Sequence, residues 1–222
     1  EPIDASIRDA GFGGSESYRN LTPFSASDLV IKTSRRIEHL YRQLRVQQTS
    51  YQEIYQLAKS KEAKLSSIPA IMPIANEDLT RTASGFGWRI HPIYKIKKLH
   101  TGMDFTAPTG TEIFATGDGK VVQVKSSKKG YGNRIIIDHG YGYKSLYAHM
   151  DEFHVKYGQE VKRGEVIGYV GNTGTSVAPH LHYEVHKNNK EVDPINFYFH
   201  DLTPQQYDKM IAISANSGQS FD

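Results

Sequence analysis

Short segments typical of β-strands, separated by glycine-containing turns, fill the chain from about residue 80 to residue 200. Apolar and polar residues alternate in many of these segments, as expected of strands with one face against a core. Strand candidates are residues 112–115, 119–124, 134–138, 144–149, 166–170 and 180–185, and turn signals lie at 129–132, 139–142, 162–164 and 171–174. The even spacing predicts a mainly β domain, an antiparallel β sandwich or open barrel.

A helical pattern precedes this β region. Residues 28–67 contain neither Gly nor Pro, and apolar residues recur there at alternating spacings of three and four, close to a heptad seam. Gln47 and Lys61 interrupt the seam. We therefore predict a long, coiled-coil-like helix as an N-terminal appendage. The pattern leaves open whether this helix docks on the β domain or self-associates with a second copy.

The remaining segments set the predicted boundaries. Residues 1–27 are rich in Gly, Ser and Asp and predict a flexible N-terminal arm, and the prolines of 68–79 predict a linker into the β domain at 80–200. Residues 201–222 predict a short C-terminal helix, to about residue 215, and a polar tail. Thr203 there is an N-cap, with Pro at the first helical position and Gln at the capping-box position.

Composition narrows the functional classes. The chain has 222 residues, 38% of them hydrophobic, and a formal charge of +3. This mildly basic balance, without clusters of basic and stacking aromatic residues, does not indicate nucleic acid as a partner. The absence of cysteine excludes thiolate zinc sites. The chain shows no apolar run of about 18 residues, and it begins at Glu1 rather than Met, which leaves room for a membrane anchor upstream.

The segment 180–186 alternates strictly between polar and apolar residues. Its apolar face predicts packing on a core. Its other face carries three imidazoles and a carboxylate, which a purely structural strand does not need: His180, His182, Glu184 and His186. A polar, solvent-facing strand would show the same pattern, so this stretch alone does not decide between the two interpretations.

Two further segments favour a metal site. His100 and Asp104 lie four residues apart around Gly102, which argues against a helix, and His149 ends an apolar-alternating segment. Two histidines and one aspartate, with a fourth position open, are the ligand set expected of catalytic zinc.

Taken together, these motifs resemble the lysostaphin/LytM-type zinc metallopeptidases, which are peptidoglycan endopeptidases with a duplicated hybrid motif fold. The resemblance rests on residues 87–92 (Gly-Trp-Arg-Ile-His-Pro), 100–104, 149 and 180–182. It extends over roughly residues 80–197, and four separated motifs in the family's order are far more specific than one.

The resemblance implies the roles of five residues. His100, Asp104 and His182 are expected to bind one Zn²⁺. His149 and His180 are expected to form the catalytic pair beside the metal, one activating water and the other stabilising the oxyanion or protonating the leaving amine. Which histidine does which is left open.

The implied function is zinc-dependent hydrolysis of peptidoglycan peptide cross-links in an extracytoplasmic, periplasmic compartment, by an enzyme that an inner-membrane anchor could hold. The alternative is a non-enzymatic LytM-type activator of other wall hydrolases. Such relatives have lost one or more of the five residues, and this chain has all five. A zinc peptidase acting on proteins is a third hypothesis. The bond that is cut is left open.

Several further residues are candidates around the site. Arg89 and His91 are expected to shape the rim or support the ligands, and Glu184 to orient a histidine or to be a solvated strand residue. Asn172 and Ser176 are candidates for substrate contacts. Most tyrosines of the region are expected in the core and in turns, with a few lining a peptide groove. Four histidines are predicted to be bystanders: His139, His154, His186 and His200.

Overall fold

The computed structural model describes residues 27–75, 79, 81–90, 96–198 and 202–216. The predicted arm therefore lies outside the described residues, apart from Ser27, and so do His91 and His200. The chain divides into two compact units, Glu1–Glu62 and Ala63–Asp222, which are treated separately here.

One long helix, α1, spans Ser27–Ser67 and contains all the described residues of the first unit. This agrees with the helix predicted over 28–67, because no Gly or Pro interrupts the segment. The apolar side chains of the heptad stripe are exposed, among them Ile37, Leu40, Leu44 and Ile54. Among the described residues, neither this helix nor the C-terminal one is long and apolar enough to cross a bilayer.

The second unit is mainly β, which confirms the predicted fold class. Its strands, in chain order, are β1 (Thr82–Ser84), β2 (Gly87–Ile90), β3 (Lys97–His100), β4 (Met103–Thr106), β5 (Glu112–Phe114), β6 (Gly119–Lys125), β7 (Asn133–Gly140), β8 (Tyr143–Phe153), β9 (Glu160–Val161), β10 (Val166–Val170), β11 (His180–Lys187) and β12 (Lys190–Val192). A 3-10 helix, Pro194–Phe197, follows β12. All six predicted strands are present. The additional ones have two to four residues, too few to show a period of two.

Ten of these strands form one antiparallel sheet, in the order β1-β4-β11-β8-β7-β6-β9, with β12 on β11 and with β10 pairing β5 and β8. The remaining two, β2 and β3, pair with each other. Strand β11 therefore lies between β4 and β8. This order places the His-rich strand directly beside the strand that carries Asp104.

The segment after helix α1 belongs to the packing of the β domain. The side chains of Ala70, Met72 and Ile74 are buried, and backbone hydrogen bonds join the segment to strand β5 and to the residues that follow it. The amide of Phe114 donates to the carbonyl of Pro73 at 2.8 Å. Prolines made this segment resemble a linker, whereas its apolar residues require burial. The exact domain limits stay a prediction.

The C-terminal helix α2 spans Pro204–Asn216 and begins with the predicted capping box. The amide of Thr203 donates to Gln206 Oε1 at 2.9 Å, and the amide of Gln206 donates back to Thr203 Oγ1 at 3.3 Å. The helix packs close to strand β1: a Cβ placed on Gly85 would lie 2.7 Å from Ser214 Cβ. A side chain at position 85 would clash with the helix, so glycine is required there.

Candidate metal and catalytic centre

Three side chains converge where β3, β4 and β11 meet. The β4–β11 register places His182 directly opposite Asp104, and His100 enters from the end of β3. Asp104 Oδ1 lies 3.0 Å from His100 Nε2 and 2.9 Å from His182 Nδ1, and the two nitrogens are 3.0 Å apart. All three residues are buried. We call His100, Asp104 and His182 the donor triad.

The second nitrogen of each imidazole fixes its tautomer. His100 Nδ1 lies 2.8 Å from the carbonyl oxygen of Gly85, and His182 Nε2 lies 3.1 Å from Glu184 Oε1. Because both partners are acceptors, these nitrogens carry the hydrogens, and the lone pairs sit on the nitrogens that face Asp104. The triad therefore directs two nitrogen lone pairs and a carboxylate oxygen at one point, and its ligand atoms lie within 4.8 Å of one another. This donor set fits a zinc ion.

Glu184 is a buried carboxylate that joins His182 of the triad to three further side chains. Its Oε1 accepts hydrogen bonds from His182 Nε2, from the Tyr131 hydroxyl at 2.7 Å and from the Thr101 hydroxyl, while Oε2 contacts His186 Nε2 at 2.6 Å. Burial alone would raise the pKa of Glu184, but the hydrogen bonds from His182 and His186 hold that pKa well below its ordinary value. Glu184 is therefore an ionised acceptor that orients His182, not a solvated strand residue.

These contacts correct one prediction and add two residues. His186 was predicted to be a bystander, which is wrong because it reaches the triad through Glu184. Thr101 and Tyr131 had not been connected with the site. The sequence signal for Tyr131 is its position between two glycines, which predict a tight turn. Both glycines have positive φ values, of 56° and 59°. His139 fits the bystander prediction, since its ring bonds the carbonyl of Asp118 and the Ser145 hydroxyl.

A second cluster lies beside the triad. The imidazole centroids of His149 and His180 are 4.6 Å apart, and that of His149 is 6.2 Å from that of His182. Both side chains are buried. We call His149 and His180 the histidine pair.

His149 reaches this position through a strained backbone. Its φ is 59°, in the left-handed region that a non-glycine residue rarely adopts. Its neighbour Ala148 pairs with His182 and shares that face of the sheet. In a regular strand His149 would point to the opposite face, whereas the left-handed turn brings its ring beside His180. The amide of His149, which donates to the carbonyl of Tyr131 at 2.9 Å, holds the turn.

Backbone carbonyls also fix the tautomers of the histidine pair. His149 Nδ1 lies 2.7 Å from Thr173 O, and His180 Nδ1 lies 2.8 Å from Ala178 O. Both Nδ1 atoms therefore carry hydrogen, and the lone pair of each ring is on Nε2, where it can accept a proton.

Three other candidates contact residues of the site: Ser176 and Asn172 lie beside the histidine pair, and Arg89 lies beside the triad. Ser176 Oγ lies 3.1 Å from His180 Nδ1 and donates to Asn172 Oδ1 at 2.6 Å, which ties the preceding loop to the pair. The Arg89 guanidinium donates to the Ser84 hydroxyl and to the carbonyl of Gly85, the carbonyl that orients His100. Arg89 thus acts on the triad through the backbone.

Gly102 provides a stability prediction for this region. A Cβ on Gly102 would lie 2.2 Å from the carbonyl oxygen of Tyr183 and 2.9 Å from Glu184 Cγ. Because the carbonyl belongs to the central strand β11, it cannot move away cheaply. We expect Gly102→Ala to lower the free energy of unfolding by about 1–3 kcal/mol, measured by denaturant unfolding. Exposed Lys97→Ala on β3 is the control, and equal stability of the two variants would contradict the close approach.

The residues of this centre lie in a segment of the chain that matches a known protein family. Residues 98–194, which include the donor triad and the histidine pair, match the model of Peptidase family M23. The chain is 49% identical over 117 residues to DD-carboxypeptidase/endopeptidase Mpg of Neisseria meningitidis serogroup B, which covers 53% of this chain and 27% of that protein. It is 44% identical over 111 residues to peptidoglycan DD-endopeptidase ShyB of Vibrio cholerae serotype O1, which covers 50% of this chain and 26% of that protein.

Among solved structures, the catalytic domain of the antimicrobial peptidase lysostaphin from Staphylococcus simulans matches 56% of this chain and 98% of its own, with 33% identity and a TM-score of 0.48. The chain spans only about a quarter of the length of the two curated relatives, 27% and 26%. The similarity is therefore that of one domain.

Proposed function

We propose that this chain is a zinc-dependent endopeptidase that hydrolyses the peptide cross-links of bacterial peptidoglycan, because residues 98–194 match the model of Peptidase family M23. The observation that carries the proposal is the buried donor triad beside two imidazoles with fixed tautomers. The relative named peptidoglycan DD-endopeptidase ShyB supports the substrate class.

The donor triad is proposed to hold one Zn²⁺. Two neutral imidazole nitrogens and one carboxylate oxygen suit this metal, and the single negative charge of Asp104 leaves the centre net positive. A zinc ion bound there would polarise a substrate carbonyl and lower the pKa of a water molecule to about 7. The protein holds the ligands in place through Gly85, whose carbonyl fixes His100, and through Glu184, which fixes His182.

The histidine pair is proposed to move the protons. With Nδ1 held by a carbonyl, the Nε2 of one ring accepts a proton from the attacking water. The other ring receives this proton and then donates a hydrogen bond to the carbonyl oxygen or delivers the proton to the leaving amine as the C–N bond breaks. Burial of both rings keeps competing solvent away from these proton transfers.

We infer from the proposed substrate that the chain acts outside the cytoplasm, and we propose the periplasm as its compartment. The exposed heptad stripe of helix α1 is proposed to form a coiled coil with a second copy of the chain. Sedimentation of the chain with and without Leu40→Glu and Leu44→Glu would test this pairing. A monomer at all concentrations without the substitutions would contradict it.

Digestion of isolated cross-linked muropeptides tests the proposed activity. The zinc-loaded protein is expected to convert dimers to monomers, and the product masses read by mass spectrometry name the bond that is cut. A chelator should stop the conversion, and added zinc should restore it. Intact dimers in the presence of stoichiometrically bound zinc would overturn the proposal.

The hydrogen bonds of Glu184 provide a prediction for metal affinity. Glu184→Gln keeps the side-chain shape but removes the charge that accepts hydrogen bonds from His182 and His186. We expect zinc affinity to fall by about 10–100-fold, measured by competition with a chromophoric chelator. Exposed Glu160→Gln on β9 is the matched control. Unchanged zinc affinity of the Glu184 variant would show that Glu184 does not support the metal site.

A further inference from the structure

The sheet face that carries the donor triad continues into a separate groove. Residues directly opposite each other on paired strands share a face. The register runs from Glu184 on β11 to Leu146 on β8, then to Ile136 on β7 and Gln123 on β6. At the end of this row lies a groove of about 340 Å³, lined among others by Val122, Ile136, Lys144, Leu146, His186 and Asn189.

The floor of the groove is apolar although it does not face the core. Along β7, Ile135 and Ile137 are fully buried, whereas Ile136 between them is only half-buried and faces the groove. Val122, at the β-bulge of β6, is 38% exposed. The outer face of an antiparallel sheet is usually polar. Apolar residues in a concave part of this face are typical of a binding site.

The rim of the groove is cationic. The side chain of Lys144 is 40% exposed, and its ammonium lies 3.9 Å from Asp138 and 3.4 Å from Asn189 Oδ1, distances that hold it loosely. Arg134, on the same face, donates to Gln123 at 2.8 Å and stacks over Tyr131. The paired rows on this face carry an excess of cations over carboxylates, so the rim complements a negatively charged ligand. The cations are Lys120, Lys125, Arg134 and Lys144, and the carboxylates are Asp138 and Glu191.

The groove also adjoins the metal centre. His186 lines it and bonds Glu184, which in turn bonds His182. From His182 to His186 along β11 the distance is roughly 13 Å, at about 3.3 Å per residue. An extended peptide of about four residues spans this distance.

We propose that the groove is a subsite for an acidic arm of the cross-linked peptide, meaning a part of the substrate that carries a free carboxylate. This carboxylate lies beside Lys144, about four residues from the bond that is hydrolysed. The apolar floor takes the short side chains of that arm. This inference rests on the proposed function, and it adds a determinant of substrate choice: charge at a position remote from the reacting bond.

Two synthetic cross-linked peptides test the subsite, one with a carboxylate at the remote position and one with a carboxamide there. For the zinc-loaded protein we expect kcat/KM about fivefold lower with the amide, the size of one partly exposed ion pair. Lys144→Gln should cleave both peptides equally, at the rate of the wild type on the amide. Exposed Lys156→Gln, in the loop after β8, should behave as wild type.

Equal rates on both peptides for the wild type, or unchanged discrimination in Lys144→Gln, would overturn the subsite. If neither peptide is cleaved, the proposed function fails and calorimetric binding of the same peptides decides the inference separately. Tighter binding of the acid that is lost in Lys144→Gln would support the subsite, and equal or absent binding would overturn it.

Discussion

Asp104→Asn is expected to remove stoichiometric zinc and to lower kcat/KM on cross-linked muropeptides by about a thousandfold or more. Asp104 is fully buried and supplies the only carboxylate of the donor triad. Asn preserves the shape of the side chain but removes the negative charge that balances the positive charge of the metal. Loss of the metal lowers the rate because the metal supplies several kcal/mol of transition-state stabilisation. Zinc content by plasma mass spectrometry and muropeptide kinetics on the same sample measure both effects.

Two checks make this result specific. Asp208→Asn, an exposed aspartate on helix α2, should keep full zinc content and activity. Circular dichroism should show that Asp104→Asn is folded, because the loss is chemical rather than structural. A folded Asp104→Asn variant with one zinc per chain and wild-type kinetics would remove Asp104 from the metal site.

His149→Asn is expected to retain zinc and to lower kcat by about 10²–10⁴-fold, the usual contribution of a general acid or base. Asn is the suitable replacement because it tolerates the left-handed backbone that His149 adopts, with φ of 59°. The variant thus removes the imidazole without disturbing the turn. Single-turnover kinetics of zinc-loaded protein measure the effect on the chemical step.

The matched control for this prediction is His154→Asn, which changes an exposed histidine just after β8. It should cleave muropeptides at the wild-type rate. Full activity of His149→Asn would exclude the histidine from proton transfer. Loss of zinc from His149→Asn would instead make it a ligand and contradict the assignment of the donor triad.

The triad could be anticipated because its signals are local. The period of two in 180–186 places His182 and Glu184 on one face, and the four-residue spacing of His100 and Asp104 needs only a bend at Gly102. The antiparallel register of β4 and β11 then brings the two segments together. The predicted fold class likewise follows from strands long enough to show alternation.

Other features depend on three-dimensional contacts or on backbone geometry that periodicity does not encode. The ring of His149 points toward the triad only because its backbone leaves the β conformation. Thr101 and Tyr131 reach Glu184 from turns that are distant in sequence, by 83 and 53 residues. His186 seemed isolated for the same reason, since its partner Glu184 is itself buried under the triad.

X-ray absorption at the zinc edge tests the central assignment most directly. On the zinc-loaded chain it should show one zinc bound by two imidazole nitrogens and a carboxylate oxygen, with the remaining coordination from small oxygen ligands. Asp104→Asn should lose this spectrum, while His149→Asn should leave it unchanged. Three or more imidazoles on the metal, or a spectrum that persists without Asp104, would contradict the division into a metal-binding triad and a separate histidine pair.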